Sequence, residues 1–184
     1  MTAEQQVALA LYRELDAPAR AADVAVVPAM AFYGGLPDLL VTAALAGGRA
    51  ADEIEIAVGL DRWWPTAGTR TTGARNTARR LVLRGGELVP LESPAPTGTW
   101  SFPEPVGEQA VAQMPMTEVA TTHRHLDVGR LTSYLTAASL VDIRDEATPP
   151  PPAVDERGRS PQQFVVDVVA RRPDARALLS GRRH

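Results

Sequence analysis

The sequence contains no cysteine and no lysine. Without Cys there is no disulfide, no thiolate nucleophile and no Cys-based metal site. Without Lys there is neither a Schiff-base amine nor the lysine of a phosphate-binding P-loop. All 19 basic residues are arginine, set against 22 acidic ones for a net charge of -3. There is thus no electrostatic case for nucleic acid or an anionic membrane as partner. No apolar run approaches the ~20 residues that cross a bilayer. The polar, acidic start Met1-Thr2-Ala3-Glu4 does not read as a signal peptide. A soluble cytoplasmic protein is expected. A dinucleotide fingerprint G-x-G-x-x-G is absent, because Gly34-Gly35, Gly47-Gly48 and Gly85-Gly86 all have the wrong spacing. Gly68 and Gly73 are spaced as in a P-loop, but Ala74 and Arg75 stand where Lys and Ser or Thr are required. No G-x-S-x-G nucleophile elbow occurs.

What is present fits one domain, or one and a fraction: 184 residues with 45% hydrophobic content, enough for a real core. Its most organised stretch runs from Val24 to Gly48. Val24, Val26 and Val27 open an uncharged β-branched run, which reads as a strand buried on both faces. Phe32-Tyr33-Gly34-Gly35 breaks that pattern. Pro37 then suits the first position of a helix, and Leu36, Leu39, Leu40, Ala43 and Ala44 recur at helical spacing. Gly47 can supply a left-handed cap. The segment reads strand, tight bend, helix, and in α/β folds ligands sit at such strand ends. Tyr33 and Asp38 are the reactive side chains of this bend; an ordinary strand-to-helix connection has the same pattern.

Upstream, Thr2 and Gln5 have capping-box spacing, and Val7, Ala8, Leu11, Tyr12 and Leu15 form one apolar helical stripe. Downstream, Ile54, Ile56, Val58 and Leu60 alternate with Glu53, Glu55, Ala57 and Gly59, a half-buried strand. A polar helix follows, reaching to about Arg80. Arg84-Gly85-Gly86-Glu87 reads as a hairpin turn between two short strands. A short edge strand around Trp100, strands over 109–114, 121–126 and 130–135, and a helical turn or two over 137–143 complete the middle of the chain. Thr117 caps a further helical turn. Four consecutive prolines from Pro149 make a polyproline spacer. The last strong strand spans 162–170, and residues 172–184 lack periodicity and read as a weakly attached tail. The sum is an α+β domain: a mixed, mostly antiparallel sheet with helices on one face.

Two constellations carry chemistry. Trp63-Trp64-Pro65 and Thr69-Arg70 put two of the three tryptophans beside a cation, which suits an organic ligand with an anionic group. The same residues suit a subunit interface, where Trp and Arg are enriched. His123 and His125 lie two apart, so they share a face if the segment is a strand. They would need a third ligand, Asp127 at best, to hold a metal. A solvated pair, or one general acid in a pocket, also fits. Asp38 and Asp61 are a further candidate carboxylate pair.

Several blocks, in order and at similar spacing, resemble one family: Val26-Val27-Pro28-Ala29-Met30-Ala31-Phe32-Tyr33-Gly34-Gly35-Leu36-Pro37-Asp38-Leu39-Leu40, Pro65-Thr66-Ala67-Gly68-Thr69-Arg70, Arg124-His125-Leu126, and 154–164 around Arg157-Gly158-Arg159-Ser160-Pro161. These resemble the actinobacterial saccharopine dehydrogenase-like oxidoreductases, which include trans-acting enoyl reductases, over most of residues 2–171. The resemblance implies an N-terminal Rossmann domain binding NAD(P) and a second α+β domain for substrate binding and dimerisation. Thr2-Ala3-Glu4-Gln5 resembles the stretch just after a late Rossmann strand, and the phosphate-binding glycines before it have no counterpart here. Residues 1–31 would then be a helix-strand remnant of the Rossmann domain, 32–171 the substrate and dimerisation domain, and 172–184 a tail. The expected substrate-binding set is Phe32, Tyr33, Gly34, Gly35, Asp38, Trp63, Trp64, Arg70, His123 and His125, with no catalytic residue assigned. This chain alone is expected to hold no cofactor and no metal, and NAD(P) is expected of a complete family member. A homodimer or partner chain and a small hydrophobic metabolite are the implied partners. Three readings stay open: a truncated oxidoreductase portion, a stand-alone cyclase, isomerase or binding protein, and a structural partner of a full-length relative.

Overall fold

A computed structural model describes residues 4–30, 32–75, 78–172 and 179–183. Its centre is β1 (Ala50–Leu60), the longest strand, with Ile54, Ile56, Val58 and Leu60 buried on one face. The alternation in sequence is the cause, since successive side chains of a strand leave on opposite faces. β1 pairs in parallel with β6 (Asp127–Thr136) and antiparallel with β7 (Phe164–Arg171). The main sheet path is β3 (Glu87–Pro90), β2 (Leu81–Arg84), β6, β1, β7 and β8 (Leu179–Arg183). β6 shares its second edge between β2, at Arg130 and Leu131, and β5 (Glu108–Gln113), at Tyr134 to Thr136. β4 (Thr97–Ser101) pairs with β5. Every ladder other than β1–β6 among the described residues is antiparallel. The chain is therefore an α+β protein with a mixed, mostly antiparallel open sheet.

Helices α2 (Gly35–Ala44) and α4 (Glu118–His125) cover one face. Leu40, Val41, Leu45, Val119 and Leu126 join Ile54, Ile56, Leu83, Leu131, Leu135, Val166 and Val168 in one core. Each such side chain contributes roughly 1.5–3 kcal/mol on burial. α1 (Glu4–Ala21) lies against α4. On the opposite face Phe102 and Trp100 pack with Ala57, Val111, Val165 and Tyr134. Gly59 is small there for a reason: a Cβ would stand 3.1 Å from the Phe102 ring. Nearer the start of β1 that face is polar, with Arg171 bridging Glu53 (2.7 Å) and Glu55 (2.6 Å). α3 (Ala67–Arg75) follows β1, and α5 (Ala137–Arg144) follows β6 directly.

The structure departs from the sequence expectations at three places. Residues 24–30 are not a strand: Val24, Val26 and Val27 are exposed and join no ladder among the described residues. Both edges of β1 are already taken, and left-handed residues at Asp23 (φ 52°) and Ala29 (φ 55°) interrupt extension on either side. Thr121 to His125 belongs to helix α4, not a strand, and Leu126 is the extended residue just past its end; the buried Glu118 and Val119 start the helix where the β-branched Thr121-Thr122 suggests extension. The Thr2 partner of the expected capping box lies outside the described residues. Gln5 itself is buried, donating to Leu81 O (2.9 Å) and Met116 O (2.8 Å) and accepting from Leu81 N (2.9 Å). It ties α1 to β2 and to the turn before α4. Residues 179–183 of the expected tail form β8, an edge strand on β7.

Other expectations hold. The hairpin turns at Gly85 (φ 60°) and Gly86 (φ 77°), and Gly47 takes φ 85° behind α2. Among the described residues no helix is long and apolar enough to cross a membrane.

Candidate functional site

The bend between residues 29 and 35 is built by close backbone approach. Gly35 N donates to Ala29 O at 2.9 Å. A Cβ on Gly34 would lie 2.4 Å from that same carbonyl oxygen, and one on Gly35 would lie 2.6 Å from Met30 Sδ. Only glycine fits at Gly34 without moving the backbone. The fold-back sets Phe32 and Tyr33 edge to face, with centroids 4.6 Å apart. Phe32 meets Phe164 edge-on at 4.4 Å, and Tyr33 stacks on Trp63 at 5.3 Å and 17°. Such pairs contribute about 0.5–1.5 kcal/mol beyond area burial. They join the bend to the loop after β1.

Tyr33 and Trp63 form a wall of a cavity of about 740 Å³, completed by Arg70, Arg80, Met114, Met116 and Ile143 among others. It opens beyond the carboxyl ends of β1 and β6, the one parallel pair among the described strands. Ligands collect there in open sheets because loops diverge and leave a crevice. The volume and mixed lining match a small-molecule pocket. Trp63 is held by its backbone N–H, which donates to Asp142 Oδ2 on α5 (2.9 Å).

Arg70 has a different duty from the one expected. Its guanidinium donates to three carbonyls, Ile143 O (3.4 Å), Asp145 O (3.1 Å) and Thr148 O (2.8 Å). It clamps the end of α5 to α3, so its charge meets helix-terminal carbonyls rather than standing ready for an anion. Arg144, exposed on the last turn of α5, is another cation on the pocket lining.

Behind Met114 and Met116 lies a second, small cavity lined by Tyr33, Ile56, Val58, Glu118, Ser133 and Tyr134. Tyr33, Met114 and Met116 border both spaces. Glu118 is buried; its Oε1 accepts from Met116 N (2.9 Å), while Oε2 has no hydrogen bond of normal geometry among the described residues. Ser133 Oγ lines the same cavity, near the carboxyl but without a hydrogen bond of normal geometry. Burial pushes the Glu118 carboxyl up to about 7, against weaker opposing pulls from Ser133, the Met116 N–H and Arg80. Burial, with the Glu118 charge adding to it, also raises the Tyr33 phenol. Glu118 is the residue that the sequence reading passes over. Its only signal is position: a carboxylate in the first turn of a short helix between two apolar strands.

The remaining expected site residues sit elsewhere. Asp38 accepts from Thr122 (3.2 Å) and pairs with His125 Nε2 (2.7 Å), joining α2 to α4 rather than facing Asp61. Asp61 is exposed and accepts from Arg62 N. On helix α4 residues two apart point roughly 200° apart. His123 accordingly lines a separate groove with Gln6, Leu9, Tyr12 and Arg124 between α1 and α4. The two imidazoles share no face, and among the described residues no group of three His, Cys, Asp or Glu is placed to hold a metal. Trp64 is half-buried and, like Phe32, Gly34 and Gly35, is not on the cavity lining. Of the ten, Tyr33, Trp63 and Arg70 meet at one cavity. No protein-family model matches this chain, and no curated protein matches it.

Proposed function

We propose that this chain is the substrate-binding and dimerisation portion of a saccharopine dehydrogenase-like oxidoreductase, without redox activity alone. In this reading NAD(P) is held by a separate segment or chain, the substrate is a small hydrophobic metabolite, and the protein works in the cytoplasm. The observation that carries it is the Tyr33–Trp63 cavity at the carboxyl ends of the parallel pair. It adjoins the bend at Phe32 to Asp38, which supplies five of the ten expected substrate-binding residues. A second feature supports it. Val24, Val26, Val27 and Met30 leave an exposed apolar segment before that bend, suited to cover by another domain or a second copy.

The absence of a G-x-G-x-x-G loop gives the test, because that loop supplies the N–H groups that hold pyrophosphate. Titration of the chain with NADPH, followed by nicotinamide fluorescence, is expected to show no saturable binding. Stoichiometric binding overturns the division of labour. The alternative of a stand-alone cyclase, isomerase or binding protein is favoured by one observation, the ionisable Glu118 beside the cavity. Turnover of a hydrophobic substrate without nucleotide would select it.

A further inference from the structure

We propose that the pocket extends past Met114 and Met116 to Glu118 and Ser133, and that these two side chains form a hydrogen-bonding terminus for a neutral carbonyl oxygen. The ligand is then an apolar molecule carrying a ketone or ester carbonyl at one end. The inference rests on the Tyr33–Trp63 cavity being the ligand site.

Three observations lead there. First, the large cavity and the small one share Tyr33, Met114 and Met116, so two flexible thioether side chains and one ring border both spaces. Methionine is unbranched and refills irregular space readily, which makes it a movable wall. Second, two buried polar atoms line the inner cavity, Glu118 Oε2 and Ser133 Oγ; Ser133 draws the Glu118 pKa down, yet neither atom has a hydrogen bond of normal geometry among the described residues. Buried polar groups left unpaired each cost about 1–3 kcal/mol, and a ligand atom that satisfies them recovers that. Third, burial selects against a charged head group: any ion would lose its hydration in the inner cavity, a cation would also meet Arg80, whose guanidinium bonds Pro115 O (2.9 Å), and an anion would also oppose Glu118 wherever that carboxyl is ionised. A neutral acceptor remains.

Burial keeps the acid form of Glu118 populated near neutrality, which makes Oε2 a donor while Oε1 continues to accept from Met116 N. The titratable and charged groups around it are Tyr33 from the bend, Tyr134 from β6 and Arg80 before β2. Both phenols stay neutral through this range, since burial raises each. Glu118 is therefore the group whose protonation governs the terminus. It acts as a recognition residue, holding the carbonyl rather than transferring anything to it.

The test uses the full chain and two probes of matched size, methyl pentyl ketone and hexyl chloride, by calorimetry and infrared difference spectroscopy. The ketone is expected to bind more tightly than the chloride, with its carbonyl stretch moved to lower frequency. Its affinity is expected to be about tenfold weaker at pH 8 than at pH 6, as for donation by an acid titrating near neutrality. E118Q keeps the shape and an N–H donor, so it retains ketone binding but loses the pH dependence. S133A weakens the ketone by roughly threefold and leaves the chloride unchanged. Equal binding of both probes, insensitive to pH and with an unshifted stretch, overturns the terminus and leaves the pocket reading intact. Binding of neither probe overturns both.

Discussion

Glu118 joins stability to pH in a direction opposite to most carboxylates. An ordinary glutamate loses its proton near 4.5, whereas this one keeps it to about 7 in the folded chain. Between those values the folded state binds more protons than the unfolded one, so stability falls as pH rises. The contribution is fully present below the unfolded value and gone once pH passes the folded one. It amounts to roughly 3 kcal/mol, by the size of the shift. Urea unfolding at pH 5 and pH 8 is expected to show the wild type losing stability on that rise, with E118Q nearly flat. A wild type that gains stability over the same interval contradicts the buried acid. The reason Glu118 escaped sequence reading is instructive: charge in a sequence is taken as a sign of solvent, and only packing shows a carboxyl sealed behind Met116 and Tyr33. Tyr33 and Trp63 were legible because aromatic residues next to Gly-Gly and Pro in turns have few bland explanations. Their partnership was not legible, since it depends on the fold-back at Ala29.

At the scale of elements, α3 and α5 are held by one side chain. Helix α3 has no buried residue of its own, so it contributes little apolar area. Arg70 supplies the link through three carbonyls at and beyond the end of α5. R70K keeps the charge but cannot reach three acceptors from one planar fork. The site is only partly buried, so the expected loss is modest, about 2 kcal/mol in chemical denaturation. Faster amide exchange is expected in 143–148. An unchanged midpoint with unchanged exchange contradicts the clamp. Strands were readable wherever alternation was strong, as in β1, or where glycine fixed the turn, as between β2 and β3. α4 reads as a strand because two adjacent threonines weigh towards extension locally, while Val119 within it and Leu126 just past its end join the same core as α2.

At the scale of the whole molecule, the sheet is complete around β1 without the apolar segment 24–30. Sequence shows that such a run prefers burial, and does not show whether a neighbouring strand is free to receive it. Here β6 and β7 occupy both places, which leaves Val24, Val26 and Val27 exposed. The fold class was legible from the number and spacing of strands; the parallel pair at its centre was not, because strand direction depends on long connections. The pocket formed by these connections is the central claim, and the tryptophans report on it directly. Trp63 stands on the cavity wall, whereas the Trp100 indole donates to Asp167 on the opposite face of the sheet (3.1 Å). NMR shift mapping with methyl pentyl ketone is the most direct measurement. The indole N–H of Trp63 and the amides of Tyr33, Met114 and Met116 are expected to move together, with Trp100 stationary. Shifts confined to Tyr12, His123 and Arg124 in the groove between α1 and α4 would place the ligand elsewhere and contradict the account.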